Sequence, residues 1–426
     1  MSALVQAELF FLLIMSTLPI FWFVNCYRKR LNFVHTSILF FAISHILRPI
    51  ALWDAGSSVV YADMFSWDLY LVGFLFNLLW FSLFLFGFRL SFFPLPIVYR
   101  VNTVRDIHLA KIGDSIGIFV ILAGLAIMFS LVGLNFLSGI REGGLGTLPQ
   151  LRPIYPFVML FGALLVARAL FVLFVEKRFA YGIFILFLGF IATAIINQRG
   201  LVITFLLCLS VFFWRYNKKS LVFIILIIIT FAVFILRKII PFILGLNSDF
   251  KDENYSDTIS YLSNVAKSPD GADLEVFVIA QNFVQKNGFL VGESIINFPF
   301  TLMSSDWRFE QKLFTGLDFL NDFYQSDIYW GLKYGFNVTS GQEMYLNFGF
   351  FGLVVATLAG FLVGRSLNKY EVSVSKGQDP IYSFLPTFAL INLLSSIAGF
   401  MWSVVFYLIY LILSFGSRIV FHNRQI

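Results

Sequence analysis

Two ionisable residues in this chain occupy positions where their chemistry is costly to maintain unless it is used. Glu343 lies in Thr339-Ser340-Gly341-Gln342-Glu343-Met344-Tyr345-Leu346-Asn347-Phe348-Gly349-Phe350-Phe351-Gly352, a polar run that enters an apolar stretch. Its carboxylate suits proton abstraction from a hydroxyl; the competing role is a favourable charge in the first turn of the helix that follows. Arg199 lies in Ile196-Asn197-Gln198-Arg199-Gly200, a tight turn between two apolar runs. A guanidinium held there can grip a phosphate with two parallel hydrogen bonds, and Gly200 lets the backbone approach a ligand. An Arg bonded to lipid headgroups or helix-end carbonyls would look the same. Arg237-Lys238 end another apolar run, where anchoring is the simpler role. His45 and Arg48 are three apart, hence on one helical face, and join an anion site or touch headgroups. Arg308, in Asp306-Trp307-Arg308, is a further phosphate contact to consider. Arg168 lies well inside an apolar run, from which an Arg can snorkel about 10 Å to the cytoplasmic face.

Four histidines without clustered spacing argue against a metal site, and Cys26 and Cys208, both inside apolar runs, read as packing residues. No metal, cofactor or nucleic acid is expected.

The elements that position these residues follow from composition. Of 426 residues, 13% are charged and 59% hydrophobic, with 55 Phe and a mean hydropathy of +0.85. Soluble domains carry roughly 25% charge, so a soluble enzyme, a disordered chain and a disulfide scaffold are excluded. The expected fold class is an all-α polytopic integral membrane protein. Eleven apolar runs have spanning length: 5–26, 31–50, 67–90, 113–134, 154–175, 180–197, 201–216, 220–240, 345–364, 381–399 and 402–420. The first is read as an uncleaved helix, because Arg28-Lys29-Arg30 follow it and no basic residues precede it. Lys and Arg collect in alternate short loops, which places the N-terminus outside and the C-terminus in the cytoplasm.

The chain therefore divides into eight spans over 1–240, one large external segment over 241–344, and three spans with a basic cytoplasmic tail over 345–426. The external segment holds 14 acids against six basic residues, a net charge of −8. Asp270-Gly271 leads into an amphipathic helix near 272–286, ended by Asn287-Gly288. Residues 289–303 are apolar but too short to span, and should dip into the interface. Phe309, Leu313, Leu317, Leu320 and Tyr324 form one apolar stripe of a helix that lies on the membrane face or packs on the spans. Cations at the ends of separate spans suit a lipid phosphate or pyrophosphate, and carboxylates above them suit hydroxyl-rich sugars.

The run from Thr339 to Gly352 resembles the late motif of bacterial Wzy-type O-antigen and capsular polysaccharide polymerases, in which a Glu precedes a Tyr/Leu and a Phe-Gly-x-x-Gly helix start. Asn197-Gln198-Arg199-Gly200 is similar to the Arg-Gly turn of the same superfamily, which also includes the O-antigen ligases, where a His commonly stands in place of the Glu. Many spans with one large external loop before the last few complete the likeness. The resemblance implies a GT-C-like, inverting, metal-independent glycosyltransferase in the bacterial inner membrane. It would join sugar repeat units carried on undecaprenyl pyrophosphate, working beside a flippase and a chain-length regulator. It implies Arg199 as the stabiliser of the pyrophosphate leaving group, helped by Arg237, Lys238, Arg308 and Arg48, and Glu343 as the base. The alternatives are a ligase-like enzyme, a flippase or transporter of lipid-linked oligosaccharide, and a passive scaffold.

Overall fold

The structure is a computed structural model, and it describes residues 3–27, 35, 38, 50, 66–91, 106–132, 154–196, 273–297, 319–320, 338–375, 381–395, 404–405 and 408. Among the described residues every regular element is a helix. These are α1 (Ala3–Tyr27), α2 (Trp67–Leu90), α3 (Asp106–Val132), α4 (Tyr155–Phe171), α5 (Phe179–Ile196), α6 (Asp273–Asn287), α7 (Glu293–Ile296), α8 (Ser340–Phe348), α9 (Leu353–Ser375) and α10 (Leu385–Ser395). A π-turn, Val172–Glu176, extends α4, and 3-10 turns precede α9 and α10. Among the described residues, five apolar helical stretches are long enough to cross a membrane: Gln6–Cys26, Trp67–Leu90, Gly113–Leu131, Phe157–Glu176 and Ser340–Ser373. The protein is thus an α-helical chain of membrane type. The expected runs at 31–50, 201–216, 220–240 and 402–420 fall wholly or mostly outside the described residues.

Large apolar side chains stay exposed on the helix faces, among them Phe21, Phe119, Phe187, Phe351 and Val354. Water would penalise such surfaces, whereas acyl chains do not. Cys26 is also exposed, so it is not the packing residue that its apolar run suggested.

The tightest described pair is α2 with α9. A Cβ on Gly87 would strike the Thr357 carbonyl, one on Gly360 the Phe84 carbonyl, and one on Gly364 Ser91. From Phe84 with Gly360 to Ser91 with Gly364 and Asn368 the contacts advance on both helices, so α2 and α9 run parallel. Without a hydrophobic drive between helices in lipid, close backbone approach at small residues supplies the packing. The Asn368 amide then donates to the Ser91 carbonyl at 3.1 Å. α4 and α5 pair as a hairpin across Lys177-Arg178, with Gly189 against the Gly162 carbonyl.

The last element group departs from expectation. The sequence reads as one span from 345, but the chain reverses between α8 and α9. Gly349 adopts φ +59°, ψ −140°, a conformation that excludes L side chains. A Cβ on Gly352 would lie 2.7 Å from the Met344 carbonyl oxygen, whereas eight residues of straight helix would separate them by about 12 Å. α8 is therefore a short arm folded back on α9.

α6 also differs. It begins and ends close to where the sequence placed it, with Gly288 at φ +81° closing it. Yet every residue from Leu274 to Gln281 is buried, including Glu275. Phe277 packs on Gly73 and Phe76 of α2, and Gln281 donates to the Leu69 carbonyl at 3.0 Å. The helix is enclosed on all sides over its first two turns, where an amphipathic helix would bury one face. Of the stripe predicted at 309–324, Leu320 is described and buried; the other four positions lie outside the described residues.

Candidate functional site

α8 begins with a capping box. Thr339 is extended, its hydroxyl accepts from the Gln342 backbone N–H at 3.4 Å, and the Gln342 side-chain oxygen accepts from the Thr339 N–H at 2.8 Å. These bonds satisfy donors that a helix start leaves orphaned. The other end is closed from a distance in sequence. Leu290 N–H donates to the Leu346 carbonyl at 3.0 Å and Val291 N–H to the Asn347 carbonyl at 3.1 Å. The aim of these donors has a conformational cost: Val291 sits at φ +49°, a left-handed value that a β-branched residue rarely adopts, and Gly292 follows at φ +91°.

Thr339 and Gln342 supply the cap hydrogen bonds, and Glu343, in the same first turn, directs its carboxylate to a different partner. It is 4% exposed, and one carboxylate oxygen accepts from the Ser294 hydroxyl at 3.0 Å. Asn347, one turn on, holds the arrangement. Its amide nitrogen donates to Ser294 Oγ at 2.8 Å and to the Glu343 carbonyl at 2.7 Å, while its Oδ1 accepts from Gly292 N–H at 2.8 Å. Ser294, Glu343 and Asn347 thus form one buried network at the junction of α7 and α8.

The site does not lie at the outer end of a span, as its place in the sequence suggests. The Trp80 ring packs 3.3 Å from the Cβ position of Gly341. Trp80 falls near the middle of α2, about 20 Å along from Trp67. Tyr345 and Phe350, on the two sides of the reversal, both meet the Phe76 ring, at 5.3 and 5.5 Å. α8 therefore starts level with Trp80, and its carboxylate lies at the level of mid-α2.

Of the residues expected to act, Glu343 is the one described. Arg48, Arg199, Arg237, Lys238 and Arg308 lie outside the described residues. Ser294 is a partner the sequence did not reveal. Asn347 was legible in principle, since a residue four after Glu343 shares its helical face.

A second polar cluster lies elsewhere and corrects the reading of Arg168. Its side chain is fully buried and does not reach an interface. The guanidinium pairs with Asp114 at 3.2 Å and with Glu176, and stands 5.2 Å over the Phe171 ring. Tyr382 donates to Asp114 at 2.8 Å, and Tyr181 donates to it at 3.3 Å. Carboxylates from α3 and from the π-turn after α4 thus meet the guanidinium within the bundle. Among the described residues no group of His, Cys, Asp and Glu is placed to hold a metal ion.

Comparison of the chain with protein-family models, with curated proteins and with solved structures finds no match.

Proposed function

We propose that the protein is a membrane glycosyltransferase that polymerises oligosaccharide repeat units carried on undecaprenyl pyrophosphate, at the outer face of a bacterial inner membrane. The observation that carries this reading is the state of Glu343. It is a buried carboxylate on a broken, folded-back helix, the cap hydrogen bonds are supplied by Thr339 and Gln342, and a hydroxyl and an amide fix its position. A carboxylate held in place is what deprotonation of an acceptor sugar hydroxyl requires. The leaving pyrophosphate requires fixed cations, the role this reading gives to Arg199, with Arg237, Lys238, Arg308 and Arg48 as further contacts. The resemblance of 339–352 and 197–200 to the O-antigen polymerase superfamily supplies the substrate class.

One observation favours a second reading. Half-helices that end inside the bundle occur in transporters, where they frame a substrate path, and α8 is such an element. A flippase of the same lipid-linked saccharide is therefore the alternative. Glu343→Gln separates the two: it keeps shape and hydrogen bonding but loses proton acceptance. In a polymerase it gives single repeat units at the outer surface, with rate lowered roughly 10²–10⁴-fold. In a flippase the units accumulate on the cytoplasmic leaflet. Normal long polymer from Glu343→Gln or from Arg199→Ala, at normal protein level, removes that residue from the chemistry.

A further inference from the structure

A groove of about 460 Å³ opens between the first halves of α1 and α2. Ala7, Glu8, Phe11 and Leu12 line it from α1, and Leu71, Val72 and Leu75 from α2. The two helices run in the same direction, because Leu9 packs with Tyr70 and Phe74 while Phe23 meets the Phe88 ring at 5.7 Å. Trp67, at the start of α2, suits the level of the lipid headgroups. The groove lies about 6 to 12 Å further along α2, within one leaflet of a hydrocarbon core about 30 Å thick. Phe11 is 60% exposed and Leu75 39%, so the groove is open to acyl chains rather than sealed in the bundle.

One lining residue breaks this apolar wall. Glu8 is exposed, and its carboxylate has no ion pair or hydrogen bond among the described residues. Asp68 is exposed and unpaired in the same sense. It precedes Leu71, Val72 and Leu75 by three, four and seven residues, which puts it on their face of α2, one turn nearer the headgroups. The mouth of the groove thus carries two negative charges, and no Lys or Arg lines it. An anionic lipid would be repelled there. A second copy seated on the groove by a two-fold axis would bring four carboxylates together. A primary ammonium instead offers three donors to the two acids, while the acyl chain below it matches the apolar wall. We infer that the groove between α1 and α2 binds a phospholipid with a free ammonium headgroup, its acyl chain along Phe11, Leu71 and Leu75 and its ammonium at Glu8 and Asp68. This binding does not depend on the proposed reaction.

The full chain in detergent is titrated with phosphatidylethanolamine and with phosphatidylglycerol of identical acyl chains, and bound lipid is counted by native mass spectrometry. The parent should hold one phosphatidylethanolamine about fivefold more tightly than phosphatidylglycerol at low salt, and the preference should fall as salt is raised. Glu8→Gln with Asp68→Asn should bind the two lipids alike, and Glu8→Lys with Asp68→Lys should reverse the preference. Ala7→Trp, which fills the groove, should hold one lipid fewer of either kind. The charge variants alter exposed side chains and decide the matter should Ala7→Trp fail to fold. The inference is overturned if the parent does not discriminate between the lipids, if the Glu8→Gln, Asp68→Asn variant keeps the preference, or if Ala7→Trp loses no lipid. A parent dimer that Ala7→Trp separates would also overturn it, and would make the groove a contact between copies.

Discussion

Ser294 and Asn347 divide the work of holding Glu343, and their loss should look different. Ser294 donates the described hydrogen bond to the Glu343 carboxylate, so it is a positioning residue. A hydrogen bond to a charged group is worth about 1.5–3 kcal/mol, so under the proposed reaction Ser294→Ala should slow polymer formation by tenfold or more, with the protein still at normal level in the membrane. Ser294→Thr, which retains the hydroxyl, should restore most of the rate; equal rates in the Ala variant and the parent would remove Ser294 from the site. Asn347 instead satisfies Gly292 N–H as well as the Glu343 carbonyl. Asn347→Ala orphans a buried donor and should lower stability by about 1–3 kcal/mol, read as a drop in thermal midpoint. The carboxylate was legible in the sequence because an acid before an apolar run is conspicuous. Ser294 was not, because its contact spans 49 positions and leaves no periodic trace.

At the scale of elements, hydropathy located the helices but not their direction. The run 67–90 and helix α2 coincide, and α5 lies within one residue of the expected span. The reversal between α8 and α9 was invisible to the same measure, because both arms are apolar and the stretch reads as continuous. Gly349 and Gly352 carried the signal, although their spacing also fits a simple helix contact. The reversal makes a sharp prediction. Gly352→Val places a side chain on the Met344 carbonyl, which belongs to the backbone and cannot swing away. That variant should lose folded protein outright, seen as loss of the monodisperse peak in detergent. Val291 predicts the opposite sign. Its φ of +49° costs about 1–2 kcal/mol for a residue of its type. Its side chain is 74% exposed, so little packing is lost on substitution. Asn tolerates the left-handed region, so Val291→Asn should raise the thermal midpoint, while Glu343, Ser294 and the reaction are unaffected.

At the scale of the whole molecule, the Arg168 cluster joins parts of the chain that are far apart in sequence. Tyr382, before α10, reaches Asp114 on α3 across 268 positions, and Arg168 joins α4 to both Asp114 and Glu176. The cluster lies away from α8. Tyr370 meets Phe384 at 5.4 Å, and Tyr370 is 17 residues into α9, about 25 Å from its start at the reversal. Its charges balance in two steps, Arg168 against Asp114, and Arg178 against the second Glu176 oxygen at 3.8 Å. Removing one member of a buried pair strands the other and costs about 3–5 kcal/mol, whereas removing both charges is often close to neutral. Arg168→Met should therefore sharply reduce folded protein. Adding Asp114→Asn removes the stranded charge, leaves an oxygen for Tyr382 to donate to and sets an NH2 donor against the Tyr181 hydroxyl, which can accept from it, while Glu176 retains Arg178. The double variant should recover most of the midpoint lost by Arg168→Met. Because it leaves α8 untouched, under the proposed reaction it should also make long polymer at near-parent rate. A double variant that folds at parental level and makes no polymer would show instead that this ion network takes part in the work of the protein, as it would in a transporter that moves charge between its two ends.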